Sequence, residues 1–407
     1  MPRKFFSNEL EKGAFILFAM MMFYNFLNFL FHFSMGRLLG PVNYGVLAVL
    51  MSIVYIFSVP SEAIQNIISR YTSRLNIKKE NSKIKFLMLK SLKKGFKISL
   101  TLFLVSIFIS IALSKFLEIN FWLIMLTNVL IFSSLILPII RGILQGRKKF
   151  SSLGNSLIIE STFKLIFSVS LVVLGFKVFG AMGGVLLGVS AGIIFSFYFN
   201  KDILNEKERA TGFDRIYSKS IPYFVAMFVV FLIFGLDIIL AKRFFSPELA
   251  GQYSVLSMLG KIIFFATIAI SKVMFPLTSE KHDKNENSTS LFKKSFLIVL
   301  FICLIAIFIY GFFPKLIIGI LYGKDYLDMA PYLVYSAIAL SFLSLSNLIL
   351  MYGLSTKGLK YILFLPLFLA IEIILLYFFR GNIQNYIIAF MVSNIIMFIG
   401  SFFFLKR

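Results

Sequence analysis

The stretch RLLGPVNYG, Arg37 to Gly45, returns 206 residues later as RFFSPELAG, Arg243 to Gly251. Arg37 falls on Arg243, Pro41 on Pro247 and Gly45 on Gly251. A repeat at one fixed offset decides how many structural units a chain contains, so it is read before any single element. Long apolar runs flank both copies. A membrane-spanning helix needs roughly 20 mainly apolar residues, and that ruler gives twelve spans, at 14–35, 44–68, 95–114, 121–140, 157–175, 179–199, 221–241, 253–275, 295–313, 331–352, 361–379 and 386–405. The same shift carries span 1 onto span 7 and so on to span 6 onto span 12, each to within a few residues. Six is even, so the halves share one orientation, and the repeat is parallel with its pseudo-two-fold axis along the membrane normal. The expected architecture is an all-α polytopic membrane protein of 12 transmembrane helices in two six-helix lobes. The N-lobe covers 1–200, the charged linker KDILNEKERATGFDR 201–215, and the C-lobe 216–407.

Composition agrees. Of 407 residues, 59% are hydrophobic and 14% charged, with 51 phenylalanines and a mean hydropathy of +0.91. Soluble domains carry about 45–50% apolar and about 25% charged residues. The single cysteine, Cys303, excludes an intramolecular disulfide framework and a cysteine-based zinc site. His32 and His282 are too few for a histidine metal centre, so neither a metal nor a resident cofactor is expected. The first span follows Arg3, Lys4 and Lys12 but is too long for a signal-peptide core. The FHFSMGRLLG after it holds no small-residue cleavage pattern, so it is expected to be retained.

The net charge of +23 acquires meaning once it is located. The N-terminus and the connections after even-numbered spans hold 31 of the 41 Lys and Arg residues, ten of them between Arg70 and Lys97. The other side holds 8, and Lys164 and Lys261 lie within spans. This asymmetry places both termini in the cytoplasm of a cell-membrane protein, and it reads as topology rather than nucleic-acid binding.

Polar residues at membrane depth are costly and mark functional paths. Span 2 carries Ser58, Glu62, Asn66, Ser69 and Arg70 on one helical stripe, with Pro60 as a candidate kink. Span 8 carries Ser257, Lys261 and Lys272, and span 1 carries Asn25, Asn28 and His32. Two readings are open: a hydrophilic cavity between lobes, or interhelical hydrogen bonds that hold the bundle together. Charges on two of the three stripes favour the cavity. Its candidate substrate-binding residues are Asn25, Asn28, His32, Glu62, Asn66, Arg70, Lys261 and Lys272. Glu62, Asp237 and Glu372 are candidates for coupling or gating through H⁺ or Na⁺. Asp237 has Lys242 nearby and Lys261 on the neighbouring helix, whereas Glu372 has no local partner. Glu160 and Lys164 have the i, i+4 spacing of a neutralising pair. Gly180, Gly184, Gly188 and Gly192 form a small-residue ridge suited to close packing or to a hinge.

No phosphate-binding GxxxxGK[ST], HExxH, GxSxG or DxD element occurs, and the Asp325–Asp328 pair beside Lys324 reads as a solvated loop. The longest outer connection, about 17 residues between spans 9 and 10, is short for an extracytoplasmic catalytic site. A transporter is therefore expected rather than an enzyme.

Several strings carry a resemblance. RLLGPVNYGVLAVL (Arg37 to Leu50), ISRYTS (Ile68 to Ser73), LQGRKKF (Leu144 to Phe150), LDIILAKRFFSPELAGQYS (Leu236 to Ser254), MFPLTSE (Met274 to Glu280) and LYGKDYLDMAPYL (Leu321 to Leu333) resemble Wzx-type polysaccharide and oligosaccharide flippases. These belong to the multidrug/oligosaccharidyl-lipid/polysaccharide (MOP) exporter superfamily. The similarity runs from span 1 to the end of the chain, and Arg37, Arg70, Asp237, Tyr322, Gly323, Tyr326 and Pro331 are the family-like positions. The resemblance implies a MATE-like alternating-access transporter for polyprenyl-(di)phosphate-linked oligosaccharides, working in the lipid bilayer beside polysaccharide assembly enzymes. Twelve spans resemble this branch more than the fourteen-span lipid II flippases. The alternatives are a cation-coupled multidrug exporter of the same superfamily, against which the basic stripes weigh, and a membrane glycosyltransferase or polysaccharide polymerase, for which no catalytic loop is found.

Overall fold

The computed structural model describes residues 9–210, 221–284, 286–357 and 364–406. Every regular element among them is helical: α1 (Glu9–Ile77), α2 (Asn81–Leu117), α3 (Phe121–Asn128), α4 (Leu130–Gly146), α5 (Phe150–Leu171), a wider turn (Val172–Phe176), α6 (Lys177–Phe199), α7 (Lys201–Leu204), α8 (Ile221–Phe244), α9 (Pro247–Asp283), α10 (Thr289–Phe312), α11 (Pro314–Leu321), a tight 3₁₀ segment (Lys324–Tyr332), α12 (Leu333–Lys357), α13 (Leu365–Phe378) and α14 (Ile383–Lys406).

Nine helices among the described residues are long and apolar enough to cross a membrane, and Leu365–Phe378 is a shorter apolar one. Two of the nine, Ile16–Ile77 and Phe150–Phe199, are 62 and 50 residues long, and each covers two of the spans drawn from sequence. Glycines mark the breaks, with Lys177 (φ 47°) joining Gly175 at the second. Gly40 (φ 68°) interrupts α1 between spans 1 and 2, and Gly175 (φ 94°) lies in the turn between α5 and α6. Both dihedrals lie where a side chain is penalised. Helical segments thus account for the described part of all twelve spans, the first three residues of span 11, 361–363, lying outside the described residues. Pro60 lies in continuous helix, and Gly40 is the position of α1 with non-helical dihedrals.

The repeated nonapeptides prove to be helix starts. Pro41 follows the break at Gly40, and Pro247 opens α9 behind Ser246, whose Oγ accepts the Leu249 N–H at 3.4 Å. Proline at the first helical position loses no hydrogen bond, because that N–H is unpaired in any helix.

The chain forms two compact units. The first comprises Met1–Leu39 and Phe57–Ser220, and the second Gly40–Ile56 and Ile221–Arg407. In the first, α4 packs on α2, and α5 pairs with α6. Ile68, Ile84, Leu87, Met88, Ile139, Ile143 and Ile203 form an apolar cluster there. The glycine ridge of α6 is a packing surface. A Cβ on Gly188 would lie 2.6 Å from the Glu160 carbonyl oxygen and 2.7 Å from the Lys164 nitrogen, so only glycine admits α5 this closely. Residues 201–209 are also anchored in this unit. Lys85 Nζ donates to the carbonyls of Leu204 (2.7 Å) and Glu206 (2.8 Å), and Arg147 and Lys149 hold Asp202.

In the second unit α9 and α12 are the central helices, with 67% and 78% of their most apolar windows buried, against 17% for α10. The repeat meets itself here: a Cβ on Gly45 would lie 2.9 Å from Gly251 Cα, and one on Gly251 would collide with the Pro41 carbonyl. Tyr44, Tyr322 and Tyr326 meet in tilted and edge-on pairs with ring centroids 5.7–6.5 Å apart, and Gln252 donates to the Asp325 carbonyl at 2.8 Å. The LYGKDY string is thereby tied to residues following each repeat proline.

Candidate functional site

The second unit holds a sealed ionic cluster. Asp237 of α8 and Lys261 of α9 are 0% and 1% exposed, and Lys261 Nζ donates to Asp237 Oδ1 at 3.3 Å. The other carboxylate oxygen accepts from Tyr253 Oη at 3.0 Å and from Ser257 Oγ. Tyr386 of α14 donates to the Asp237 carbonyl at 2.7 Å. The ammonium also stands 4.8 Å from the centroid of the Phe234 ring, whose negative face adds attraction. Glu372 of α13 is 1% exposed and within electrostatic reach of Asp237 and Lys261. Its Oε1 has no hydrogen-bond partner. Lys261 is ion-paired with Asp237, and Glu372 stands within electrostatic reach of that pair in a nearly dry setting, where an uncompensated charge costs several kcal/mol.

The first unit has its own polar cluster. Arg141 of α4 donates from Nη2 to Glu160 Oε2 at 2.7 Å and to the Ser156 carbonyl at 3.0 Å, and from Nε to Ser156 Oγ at 3.0 Å. Lys164 instead donates to Asn28 Oδ1, and its Nζ lies 4.4 Å from the Phe31 ring centroid. The expected Glu160–Lys164 pair is therefore corrected: the guanidinium takes the carboxylate, because its planar fork engages Glu160 and Ser156 together. Arg141, which the sequence places in a cytoplasmic connection, is 7% exposed inside α4.

The predicted residues divide between the units. Asn25, Asn28, His32, Glu62, Asn66 and Arg70 belong to the first, and Lys261, Lys272, Asp237 and Glu372 to the second. Asn28 joins the Lys164 cluster, while Asn25, Asn66 and Arg70 are exposed and His32 and Glu62 half-buried. In the second unit Asp237, Lys261 and Glu372 come together, and Lys272 is exposed eleven residues farther along α9. Tyr253 and Tyr386 were not foreseen. Tyr253 had a signal, since 253, 257 and 261 recur at i+4 on one stripe. Tyr386 had none, because its link to Asp237 spans 149 residues. No group of three or more His, Cys, Asp or Glu suited to a metal occurs among the described residues.

The family described as "Polysaccharide biosynthesis protein" matches residues 10–282. The chain belongs to the polysaccharide biosynthesis protein family. None of the curated proteins compared matches it significantly. Among solved structures, it is similar to a multidrug resistance MATE family transporter of the MOP superfamily, with a TM-score of 0.72 and 14% identity over 97% of this chain and 98% of that one. It is also similar to the lipid II flippase MurJ, with a TM-score of 0.69 and 17% identity over 97% and 88% of the two chains. A eukaryotic MATE transporter aligns with a TM-score of 0.69 and 14% identity, covering 97% and 94%. At these identities the likeness gives the fold, which is that of MATE and MurJ transporters. Family and fold together make the chain a multi-pass membrane protein of the polysaccharide biosynthesis family, with the fold of MATE and MurJ transporters.

Proposed function

We propose that this protein moves polyprenyl-(di)phosphate-linked oligosaccharides from the cytoplasmic to the outer leaflet of the cell membrane by alternating access. The observation that carries the reading is the match to the polysaccharide biosynthesis family over residues 10–282 of a chain with a flippase fold. The placement of cations supports an anionic cargo. Arg70 on α1 and Lys272 on α9 are both exposed, and the 206-residue offset lays Lys272 over Asn66, one turn from Arg70. Their donors suit phosphate oxygens, while Asn25 and Asn66, also exposed, suit sugar hydroxyls. The protein works as a transporter rather than a catalyst, with both termini cytoplasmic, and it hands its cargo to polysaccharide assembly enzymes.

Two energy sources fit this cargo. An inside-negative potential of 100 mV favours outward movement of a diphosphate's two charges by roughly 4–5 kcal/mol. H⁺ or Na⁺ coupling would use Asp237, paired with Lys261, and Glu372, a buried acid beside that pair whose Oε1 has no hydrogen-bond partner.

The cargo reading is tested by native mass spectrometry of the purified protein with a polyprenyl-diphosphate oligosaccharide. Loss of one charge-assisted contact is worth about tenfold. Arg70→Gln and Lys272→Gln should each weaken retention of the lipid-linked sugar by about that factor. Unchanged retention in both variants would remove each residue from phosphate binding.

A further inference from the structure

We infer that the basic stripe of α2 is a docking surface for the headgroups of anionic phospholipids. Lys90, Lys94, Lys97, Thr101, Leu104 and Phe108 recur at i+3 and i+4, so they share one face of a continuous helix. That face is uncovered along its whole length. Lys90, Lys93, Lys94 and Lys97 are exposed, as are Leu104 (52%) and Phe108 (76%). Gly95, Ser99, Ser106 and Ser110, on the opposite side, are buried. A face that meets acyl chains at Leu104 and Phe108 meets the same lipid layer's headgroups one or two turns earlier, and there it is cationic.

The dimensions agree. From Lys90 to Lys97 the helix rises about 11 Å. The headgroup layer of one leaflet is roughly 5–8 Å thick, and lysine side chains extend along the helix to place their ammonium groups in it. Lys90 also lies 5.5 Å from the Phe86 ring centroid on its own helix, and several acidic groups nearby are engaged with other residues. Glu80 binds Lys83, Glu206 accepts from Asn81, and Asp202 holds Arg147 and Lys149. Lys85 caps the carbonyls of Leu204 and Glu206.

The second half shows that topology does not require this charge density. At this pair of helices the register slips to a shift of 200 residues, which lays LKKGFK, Leu92 to Lys97, over FKKSFL, Phe292 to Leu297, in α10. There the lysine pair remains, but Leu297 stands in place of Lys97 and Ser290 in place of Lys90. The stripe is a local addition to α2. Because it lies on the lipid-facing side, the partner it fits is the surrounding anionic lipid rather than the transported molecule.

The test uses the full chain in proteoliposomes containing spin-labelled phosphatidylglycerol or phosphatidylcholine. A surface lysine contributes roughly fivefold in attraction to anionic lipid. The wild type should hold phosphatidylglycerol several-fold more strongly than phosphatidylcholine, with the preference falling as salt rises. Replacing Lys90, Lys93, Lys94 and Lys97 together by Gln should bring the ratio close to one. Replacing all four by Arg should preserve it, which separates loss of charge from loss of fold. An unchanged ratio in the Gln variant would overturn the proposal. So would loss in the Arg variant, or an unchanged lipid ratio accompanied by weaker retention of polyprenyl-diphosphate oligosaccharide, which would make the stripe a cargo dock.

Discussion

Lys261 and Lys164 are both nearly sealed from solvent, at 1% and 8% exposure, yet their ammonium groups are compensated differently. Lys261 has the Asp237 carboxylate, whereas Lys164 has an amide oxygen and an aromatic face while Arg141 takes Glu160. Removing one member of a buried pair leaves the other charge uncompensated, at a cost of about 3–5 kcal/mol, while replacing both by apolar residues is often neutral. Asp237→Leu should therefore lower unfolding stability in detergent by about 3–5 kcal/mol, and adding Lys261→Met should recover most of that loss. A double variant as unstable as the single one would show that the pair is not the source. At this scale the sequence was partly legible. Asp237 and Lys261 lie on adjacent helices, so their pairing was visible as a neighbour relation. Glu372 lacked a partner because its neighbours are more than 100 residues away, and Glu160 offered a local partner that a distant arginine displaced.

Among elements, the α5–α6 hairpin shows what the glycine ridge does. A methyl at Gly188 would lie within 2.7 Å of α5 backbone, whereas one at Gly192 would lie 3.2 Å from side-chain atoms of Glu160, a milder approach. Gly188→Ala should cost about 1–3 kcal/mol by overpacking, and Gly192→Ala distinctly less, as read by unfolding midpoints. The ridge was legible from its four-residue spacing, and its partner helix was not.

The anchored segment beginning at α7 carries a pH prediction. The Arg147 hydrogen bond, followed by that of Lys149, holds the Asp202 carboxyl below its ordinary value. A carboxylate depressed in the folded state contributes stability above its unfolded pKa, near 3.9, and loses it as pH falls through the lower folded value. The stability difference between the wild type and Asp202→Asn should be flat from pH 7 to about 5 and shrink only below about pH 4. A difference already shrinking at pH 6 would contradict this assignment.

For the whole molecule, the twelve spans were legible because apolar length is a local property that survives without knowledge of packing. The breaks between paired spans were less visible, since Gly40 in one case and Gly175 with Lys177 in the other end a span with one or two residues' dihedrals rather than with a polar loop. The repeat was legible in three matching positions, and the contact between Gly45 and Gly251 supplies the physical reason two of those letters are glycine. What the exposed polar residues bind was not legible, because a cargo leaves only donors and charges in the sequence. The cargo is therefore settled by function. In proteoliposomes containing a fluorescent polyprenyl-diphosphate oligosaccharide, tested beside a cationic dye with and without an imposed inside-negative potential, the protein should translocate the lipid-linked sugar and leave the dye. Dye transport without movement of the lipid-linked sugar would contradict the flippase account and place the protein with the drug exporters that share its fold.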